Sequence, residues 1–456
     1  MPENIELNKI KRSKMKKLKI VHIGAGSGFV LSIARELLSN PIFDDAEFVL
    51  ADLSEERLKV AYDVVTSELA KKPNHIKVSC FTNNSEALPS ADYVITSCEP
   101  NRYENWYYDL MIPEQFGCYQ VKGENGGPGG IIHATRNIIM FKQILADIEK
   151  YAPNAWLMNF TNPMSFLCTY FKNYSKIKAL GFCHQVHGSF GVIAEMLGME
   201  PGELQVISAG VNHLNWLFDI RKRNSRESYM KEFLAGVRDS KYWHERFKSI
   251  PDQTFTLKVL ETFNMYPIGY DDHIIEYMPF FWTKDEWEKY GVRALTETYK
   301  NMAEKKRHVL EVTRLLGKEF TKPPVPVDPD HPYYAEKPCE VIVALETNTP
   351  IYFDAINIKN NGAVGNLPAD VILDVPAVCV GGEVRSIHVG DLPAGPLEIC
   401  RRQTALHEML SHAVESCDNS MMVQILCLCP YVTSVTQAEK IWNAYKEQFK
   451  PYLKGF

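Results

Sequence analysis

The chain has 456 residues, of which 45% are hydrophobic and 23% are charged, and its formal net charge is −6 at pH 7. These values are typical of a folded globular protein and exclude collagen-like, coiled-coil and wholly disordered chains. The slightly acidic balance disfavours nucleic acid as a partner, because the phosphate backbone requires a basic surface. A chain of this length predicts two or three domains.

Cysteine spacing and apolar segments bear on the compartment. The eleven cysteines follow no regular spacing, and the one close pair, Cys427 and Cys429, is C-x-C rather than the C-x-x-C of a zinc or redox site. We therefore expect free thiols in the reducing cytoplasm. No apolar run reaches the about 20 residues that cross a bilayer, so no membrane contact is expected. The basic segment from Lys9 to Lys19 lacks the apolar core of a signal peptide and is interpreted as a solvated tail.

The first 190 residues alternate between strand and helix patterns. LKIVHI (18–23) and EFVLADLS (47–54) are short apolar runs, and each precedes a helical pattern. Further strands are predicted at IKVSCFT, ADYVITSCEP, AWLMNF and KIKALGFCH, with a helix from Ala134 to Tyr151. Because strands alternating with helices form parallel sheets, we predict a Rossmann-like, doubly wound α/β domain over residues 1–190, similar to that of lactate and malate dehydrogenases.

The alternation of strand and helix patterns ends near residue 190. Long helical patterns occur in ESYMKEFLAGVRDSKYWHERF and ALTETYKNMAEKKRHVLEVTRLLG, and two or three strands are predicted near VIVALE, PIYFDAINI and DVILDVPAV. The proline-rich segment KPPVPVDPDH (322–331) predicts a surface loop or linker. We therefore expect a second, α+β domain over residues 191–456, with catalytic and oligomerisation roles.

A glycine turn follows the first predicted strand and opens the first helix, and it contains Gly24, Gly26, Ser27 and Gly28. Such a turn lets the backbone approach a pyrophosphate, whose charge is met by the helix N-terminus. Phe29 replaces the third glycine of G-x-G-x-x-G, but Asp52 ends the next strand about 20 residues on, where a carboxylate accepts from ribose hydroxyls. The pattern predicts NAD rather than NADP, because a carboxylate repels a 2′-phosphate. The alternative is an ordinary turn with a helix-capping Asp.

Four polar clusters follow predicted strands, where a doubly wound sheet binds its ligands. They are VKGENGGPGGIIHATRN (121–137), NFTNPM (159–164), GFCHQVHG (181–188) and GVNHLNWL (210–217). The first is rich in glycine and offers Glu124, Asn125 and Arg136 to a polar ligand, or else is a structural loop.

Cys183, which precedes His184 at a predicted strand end, and His213 supply a thiolate and an imidazole for a divalent metal. Two protein ligands are too few for a closed structural zinc site, so an open site with room for substrate oxygens fits better. The alternative is that these are buried residues without a special role.

These motifs together carry a resemblance to a known family. The GAGS turn, the GPGG loop followed by Arg, N-x-x-N-P, Cys-His and N-H-x-x-W, in this order, resemble glycoside hydrolase family 4, the NAD- and manganese-dependent glycosidases. The similarity continues through YPIGYDDHIIEYMPFFW (266–282) and NNGAVGNLPADVILDVP (360–376), and so covers most of the chain.

The resemblance implies a mechanism other than the usual pair of carboxylates. NAD takes hydride from C3 of the sugar, a base removes the acidified C2 proton with stabilisation by Mn²⁺, the aglycone leaves, water adds, and NADH returns the hydride. NAD is therefore recycled.

Residue roles are carried over by position. Cys183 and His213 match the family's metal ligands, and Asn162 matches its sugar-binding asparagine, with Glu124 and Arg136 as further substrate-binding candidates. The resemblance implies an unphosphorylated α-galactoside, α-glucoside or α-hexuronide, because His184 follows the metal cysteine where phosphosugar members carry Asp or Asn. His184 is the candidate acid for the leaving group.

The resemblance does not decide which residue is the base or which sugar is cleaved. The segment GYDDHIIEY (269–277) corresponds to the one that carries the base, for which Asp271 and His273 are the main candidates and Asp272 and Tyr270 the substitutes. Gln185 follows His184, whereas α-galactosidase-like, α-glucosidase-like and galacturonidase-like members resemble CHS, CHG and CHE. A cation for an acidic sugar could come from Arg136, Arg102 or Lys122.

Two other functions share parts of this pattern. A malate- or lactate-type NAD-dependent dehydrogenase has the same sheet and turn but needs no metal cysteine, and an NAD-binding sensor would lack the metal and Asn-Pro clusters. The family also implies a homodimer or homotetramer.

Overall fold

The computed structural model describes residues 16–239, 254–278, 280, 283–290, 292–304 and 337–456. The strands in these ranges are β1 (Lys19–Ile23), β2 (Glu47–Ala51), β3 (Lys77–Phe81), β4 (Tyr93–Thr96), β5 (Trp156–Asn159), β6 (Lys178–Gly181), β7 (Leu204–Val211), β8 (Leu214–Lys222), β9 (Pro267–Ile268), β10 (Ile351–Lys359), β11 (Ile372–Val380) and β12 (Glu383–Ser386). The helices are α1 (Phe29–Leu37), α2 (Glu55–Leu69), α3 (Asn84–Ala87), α4 (Arg102–Glu114), α5 (Gly127–Tyr151), α6 (Met164–Tyr174), α7 (Gln185–Leu197), α8 (Met230–Arg238), α9 (Thr254–Phe263), α10 (Asp271–Ile274), α11 (Lys284–Lys289), α12 (Thr296–Glu304), α13 (Pro338–Thr347), α14 (Ala394–Ser416), α15 (Asn419–Leu428) and α16 (Val435–Gln448).

Six parallel strands form one part of the sheet, in the order β3-β2-β1-β4-β5-β6. This order is that of the dinucleotide-binding fold, in which ligands bind beyond the carboxyl ends of the strands, near the switch between β1 and β4. The predicted Rossmann-like sheet is confirmed.

The same sheet continues with antiparallel strands from the C-terminal half. β10 pairs with β6, and β11, β7, β8 and β9 follow in that order, while β12 pairs with β11. Both halves of the chain therefore share one sheet. Residue 190, the predicted boundary, falls inside α7, and the division into 1–190 and 191–456 stays a prediction.

Local sequence explains the first two helices. α1 buries Val30, Ile33, Ala34 and Leu37, which recur at helical spacing against the sheet. α2 begins after Ser54, whose hydroxyl accepts from the backbone N–H of Arg57.

One predicted strand is wrong. VIVALE lies in helix α13, which begins at Pro338 and buries Val341, Ile342 and Ala344. A short apolar run does not distinguish a strand from a buried helix, and the proline at the first helical position was the overlooked signal. PIYFDAINI and DVILDVPAV form β10 and β11 as predicted. The proline-rich segment 322–331, most of the basic tail, and parts of both long helical patterns lie outside the described residues.

Cysteine pairing agrees with the sequence. All eleven cysteines lie in the described part of the chain, and none forms a disulfide. Within the same ranges, no helix combines the length and apolar character needed to span a bilayer.

Candidate active site

The glycine turn after β1 is a tight backbone cradle. The N–H groups of Gly24 and Ala25 both donate to the carbonyl oxygen of Ala51, at 2.8 and 3.1 Å, and Gly24 has a φ of +82°. A Cβ atom at Gly24 would lie 2.6 Å from the Ser97 carbonyl oxygen, and one at Gly26 would lie 2.6 Å from Cβ of Arg57. Both positions therefore require glycine, because a side chain would collide with the neighbouring segments.

The acidic residue after β2 meets this turn. One Asp52 oxygen accepts from the N–H of Gly26 at 3.0 Å, and the other accepts from the N–H of Ser54 at 3.0 Å. Gly28 occupies the position before the first residue of α1, and Ser27 lies in the turn. The structure thus brings together the five residues predicted for the cofactor, in an arrangement that fits a dinucleotide.

The second part of the site is a cluster of three side chains from distant segments. Ligand atoms of Glu124, His213 and His273 all lie within 4.8 Å of one another, as expected for groups that could hold a metal ion. A Glu124 carboxylate oxygen is 3.7 Å from Nδ1 of His213 and 3.5 Å from Nδ1 of His273. The two imidazole rings are 4.0 Å apart between centroids.

Lys122 lies beside this cluster and balances its charge. Its Nζ is 3.4 Å from Glu124, 3.2 Å from Asp272 and 2.8 Å from Nε2 of His273. Burial alone would raise the pKa of Glu124, but Lys122, His273 and His213 together hold it well below its usual value. Glu124 is therefore a carboxylate.

Burial keeps both histidines of the cluster neutral. It lowers the pKa of His213 to about 4 against the opposing charge of Glu124. Burial, His213 and Lys122 lower the pKa of His273 far below its ordinary value. Neutral imidazoles and a carboxylate are the forms that bind a divalent cation, so this donor set fits Mn²⁺.

His213 owes its place to a hairpin turn. It lies between β7 and β8 with a φ of +67°, which a non-glycine residue seldom adopts outside tight turns. The side chain of Asn125 is 2.8 Å from its Nδ1.

Asn162 also faces this cluster. Its side-chain amide donates to Glu124 at 3.4 Å, and its side-chain oxygen accepts from the N–H of Met164. Of the predicted substrate residues, Asn162 and Glu124 are therefore brought together.

Cys183 and His184 follow β6, the last parallel strand of the sheet. Cys183 follows β6 and is buried close to Tyr277, whose pKa it helps to raise, but it is not one of the three clustered side chains. His184 is exposed at the start of α7, near enough to lower the pKa values of His213 and His273.

Gln185 has a hydrogen-bond partner in β9. Its amide donates to the carbonyl oxygen of Ile268 at 2.9 Å and so ties α7 to β9. In the sequence, Gln185 left the identity of the sugar undecided. In the structure, its side chain connects two elements of the fold.

Two predicted site residues have structural partners instead. Asp271 accepts from the N–H groups of Phe255 and Thr256 and from the Thr256 hydroxyl, at 2.5–3.1 Å, and so caps the first turn of α9. Arg136 forms a two-pronged ion pair with Asp109 at 2.5 and 2.7 Å and stacks on Phe449, deep in the protein. These contacts hold the side chains of Asp271 and Arg136 in structural roles.

Two supporting residues were missed. Glu276 accepts from the N–H groups of Glu124, Asn125 and Gly126 at 2.6–3.2 Å. His133 lies 2.9 Å from the Glu124 carbonyl oxygen and 2.8 Å from Glu99. Glu276 could have been found, because a single charged residue inside the apolar run IIEYM needs a buried partner.

The fold and site define a protein of the dinucleotide-binding class with a polar, metal-compatible centre. Models of family 4 glycosyl hydrolase and of its C-terminal domain match residues 19–199 and 208–432. The chain belongs to this family and is a glycosidase, as the sequence motifs predicted.

Curated relatives differ in the sugar they are named for. They include an alpha-galactosidase of Rhizobium meliloti (28% identical, 95% of this chain and 88% of that one), an alpha-glucosidase of Erwinia rhapontici (28%, 90% and 92%) and an alpha-galacturonidase of Bacillus subtilis (29%, 94% and 97%).

Solved structures show the same fold. A Bacillus subtilis protein provisionally described as a glucosidase superposes with a TM-score of 0.79 at 25% identity, covering 94% of this chain and 99% of that one. A 6-phospho-alpha-glucosidase from gut microorganisms, solved with NAD and Mn²⁺, gives a TM-score of 0.77 at 18% identity, covering 96% and 99%.

Proposed function

We propose that this protein hydrolyses unphosphorylated α-hexosides with NAD and Mn²⁺ as cofactors. The observation that carries the proposal is the convergence of Glu124, His213 and His273 beside Asn162, which follows β5. Family membership supports both cofactors, and so do solved neighbours with NAD and Mn²⁺.

The proposed metal ligands are Cys183 and His213, with the Glu124 carboxylate beside them. Thiolate, imidazole and carboxylate form an open donor set that leaves positions for two sugar oxygens. NAD supplies reversible hydride transfer at C3 of the sugar, and Mn²⁺ supplies a Lewis acid for the sugar oxygens.

His273 is the proposed base for the C2 proton. Burial keeps its ring neutral and able to accept a proton, and it adjoins Glu124 and His213. Asp271 is the weaker candidate, because both of its oxygens accept hydrogen bonds from the start of α9. Asp272 pairs with Lys122 and is the remaining carboxylate substitute.

We assign sugar binding to Asn162 and Glu124, and protonation of the leaving group to His184. Asn162 and Glu124 orient the sugar hydroxyls, since amide and carboxylate groups hydrogen-bond hydroxyls in fixed directions. His184 is exposed at the start of α7 and donates a proton to the leaving aglycone oxygen. A cytoplasmic homodimer or homotetramer completes the proposal.

A neutral sugar is favoured over an acidic one. Arg136 pairs with Asp109, Lys122 lies between Glu124 and Asp272, and Arg102 lies 3.6 Å from Glu99 while stacking on Trp106. All three cations considered for an acidic sugar therefore already face carboxylates. A phosphate or carboxylate on the sugar would have to break such a pair.

The test is a panel of nitrophenyl α-glycosides with NAD, Mn²⁺ and a reducing agent. Release of nitrophenol from galactoside or glucoside, with C2 deuterium lost to solvent, is expected. Failure of every galactose, glucose, galacturonic and glucuronic derivative would overturn the proposal. Net accumulation of NADH would instead indicate a dehydrogenase of the malate or lactate type.

A further inference from the structure

His22, Ser97 and Ser27 form a chain of hydrogen-bonding groups beneath the glycine turn, here called the relay. Nε2 of His22 is 2.6 Å from Oγ of Ser97, and that oxygen is 2.6 Å from Oγ of Ser27. His22 is fully buried and Ser97 is 9% exposed, while Ser27 is the partly exposed member in the turn before α1. The relay therefore runs from the core to the surface that faces a dinucleotide.

The proton on His22 can be placed from its surroundings. Its Nδ1 has no hydrogen-bond partner within the described part of the chain. A buried N–H without an acceptor costs more than a buried lone pair without a donor, so the proton lies on Nε2 and is donated to Ser97. Burial lowers the pKa of His22 to about 3, so the ring is neutral.

Ser97 then has one proton and two acceptors within reach. It can donate to the Gly24 carbonyl oxygen at 3.3 Å or to Ser27 at 2.6 Å. If it donates to Gly24, the Ser27 proton turns inward to Ser97. If it donates to Ser27, the Ser27 proton is free to turn outward.

We propose that Ser97, oriented by His22, positions the Ser27 hydroxyl to donate to the cofactor pyrophosphate. The inference rests on the proposed use of NAD. A phosphate oxygen only accepts, so its arrival favours the arrangement in which all three protons of the relay point toward it. Ser97 and His22 are thus positioning residues for the dinucleotide.

Calorimetric titration of the full-length protein with NAD and with ADP-ribose tests the relay. Ser97→Ala and Ser27→Ala should each weaken both ligands about tenfold, the usual effect of losing one hydrogen bond to a charged group. The double variant should bind no more weakly than Ser27→Ala, because both changes remove the same contact. Ser32→Ala in α1, whose hydroxyl donates to the Phe29 carbonyl oxygen, is the matched control and should bind as wild type.

Two further measurements separate positioning from a folding defect. Adenosine, followed by ligand-detected NMR, lacks the pyrophosphate and should bind all variants equally. His22→Gln keeps a donor near the Nε2 position and should retain NAD affinity, whereas His22→Phe should lose it. Wild-type NAD affinity in Ser97→Ala, or an equal loss of adenosine binding, would overturn the relay. A wild-type protein that fails to bind NAD would instead refute the proposed cofactor use.

Discussion

At the scale of single residues, His273 could serve as the base or as a third metal ligand. It shares a cluster with His213 and Glu124, and its Nε2 is 2.8 Å from Nζ of Lys122. Its Nδ1 lies 3.5 Å from the Glu124 carboxylate, so these contacts are compatible with either role. We expect His273→Gln to abolish C2 exchange and lower kcat at least about a hundredfold, the usual contribution of a general base.

Metal titration decides between the two roles. Electron paramagnetic resonance of free Mn²⁺ should show near wild-type affinity in His273→Gln and a loss of at least about tenfold in His213→Gln, since a ligand is removed. If His273→Gln loses as much affinity as His213→Gln, His273 is a ligand and the base must be sought at Asp271, Asp272 or Tyr270.

At the scale of secondary-structure elements, Asp271 is the first residue of α10, and its side chain caps the start of α9. Its carboxylate accepts two backbone N–H groups and the Thr256 hydroxyl, and burial raises its pKa to about 6. We expect Asp271→Ala to lower the melting temperature by the equivalent of about 1–2 kcal/mol, as for a lost helix cap. Asp271→Asn keeps the acceptor for Thr256 but turns its NH₂ toward the Phe255 N–H, so it should restore only part of this stability, together with C2 exchange. Loss of exchange in a stable Asp271→Asn protein would return the base to Asp271.

The loop before α5 depends on Glu276. Three consecutive N–H groups, from Glu124 to Gly126, donate to its carboxylate, and a Cβ at Gly126 would lie 2.5 Å from the Glu276 carbonyl oxygen. In Glu276→Gln the side-chain NH₂ must face one of these N–H groups, which costs about 1–3 kcal/mol. Thermal melting should show this loss, and Mn²⁺ affinity should fall because Glu124 is displaced. Glu439→Gln, at an exposed position of α16, should change neither, and a Glu276→Gln protein with wild-type Mn²⁺ affinity would contradict the argument.

Elements near the glycine turn could be predicted because their signals are local. β1, the turn and α1 follow one another, and Asp52 ends the neighbouring parallel strand, so sequence order alone places them together. Glu124, His213 and His273 come from segments far apart in the chain. The rule that ligands bind beyond strand ends suggested Glu124 and His213, and only the family resemblance added His273. The partners of Asp271 and Arg136 are tertiary contacts with no local signature, so both residues read as site residues in the sequence.

At the scale of the whole molecule, buried titratable groups should make stability depend on pH, with carboxyl and imidazole groups acting in opposite directions. Burial raises the pKa of Asp374 to about 7, so the folded state holds a proton that the unfolded chain releases above its usual value of 3.8. This contribution is lost as the pH rises toward 7. Buried histidines act in the opposite direction, since their folded forms bind a proton less readily than the unfolded chain.

His407 allows one contribution to the loss of stability at acid pH to be measured by itself. It is buried against Phe166, outside the proposed site, and burial lowers its pKa from 6.5 to about 3. Between these values the unfolded chain binds a proton that the folded state does not, so stability falls as the pH drops below 6.5. At pH 5 this amounts to about 2 kcal/mol. Melting temperatures at pH 7.5 and 5.0 should therefore differ less in His407→Leu than in wild type. His75→Leu, at an exposed position, should keep the wild-type difference, and an unchanged difference in His407→Leu would show that His407 is protonated in the folded state at pH 5.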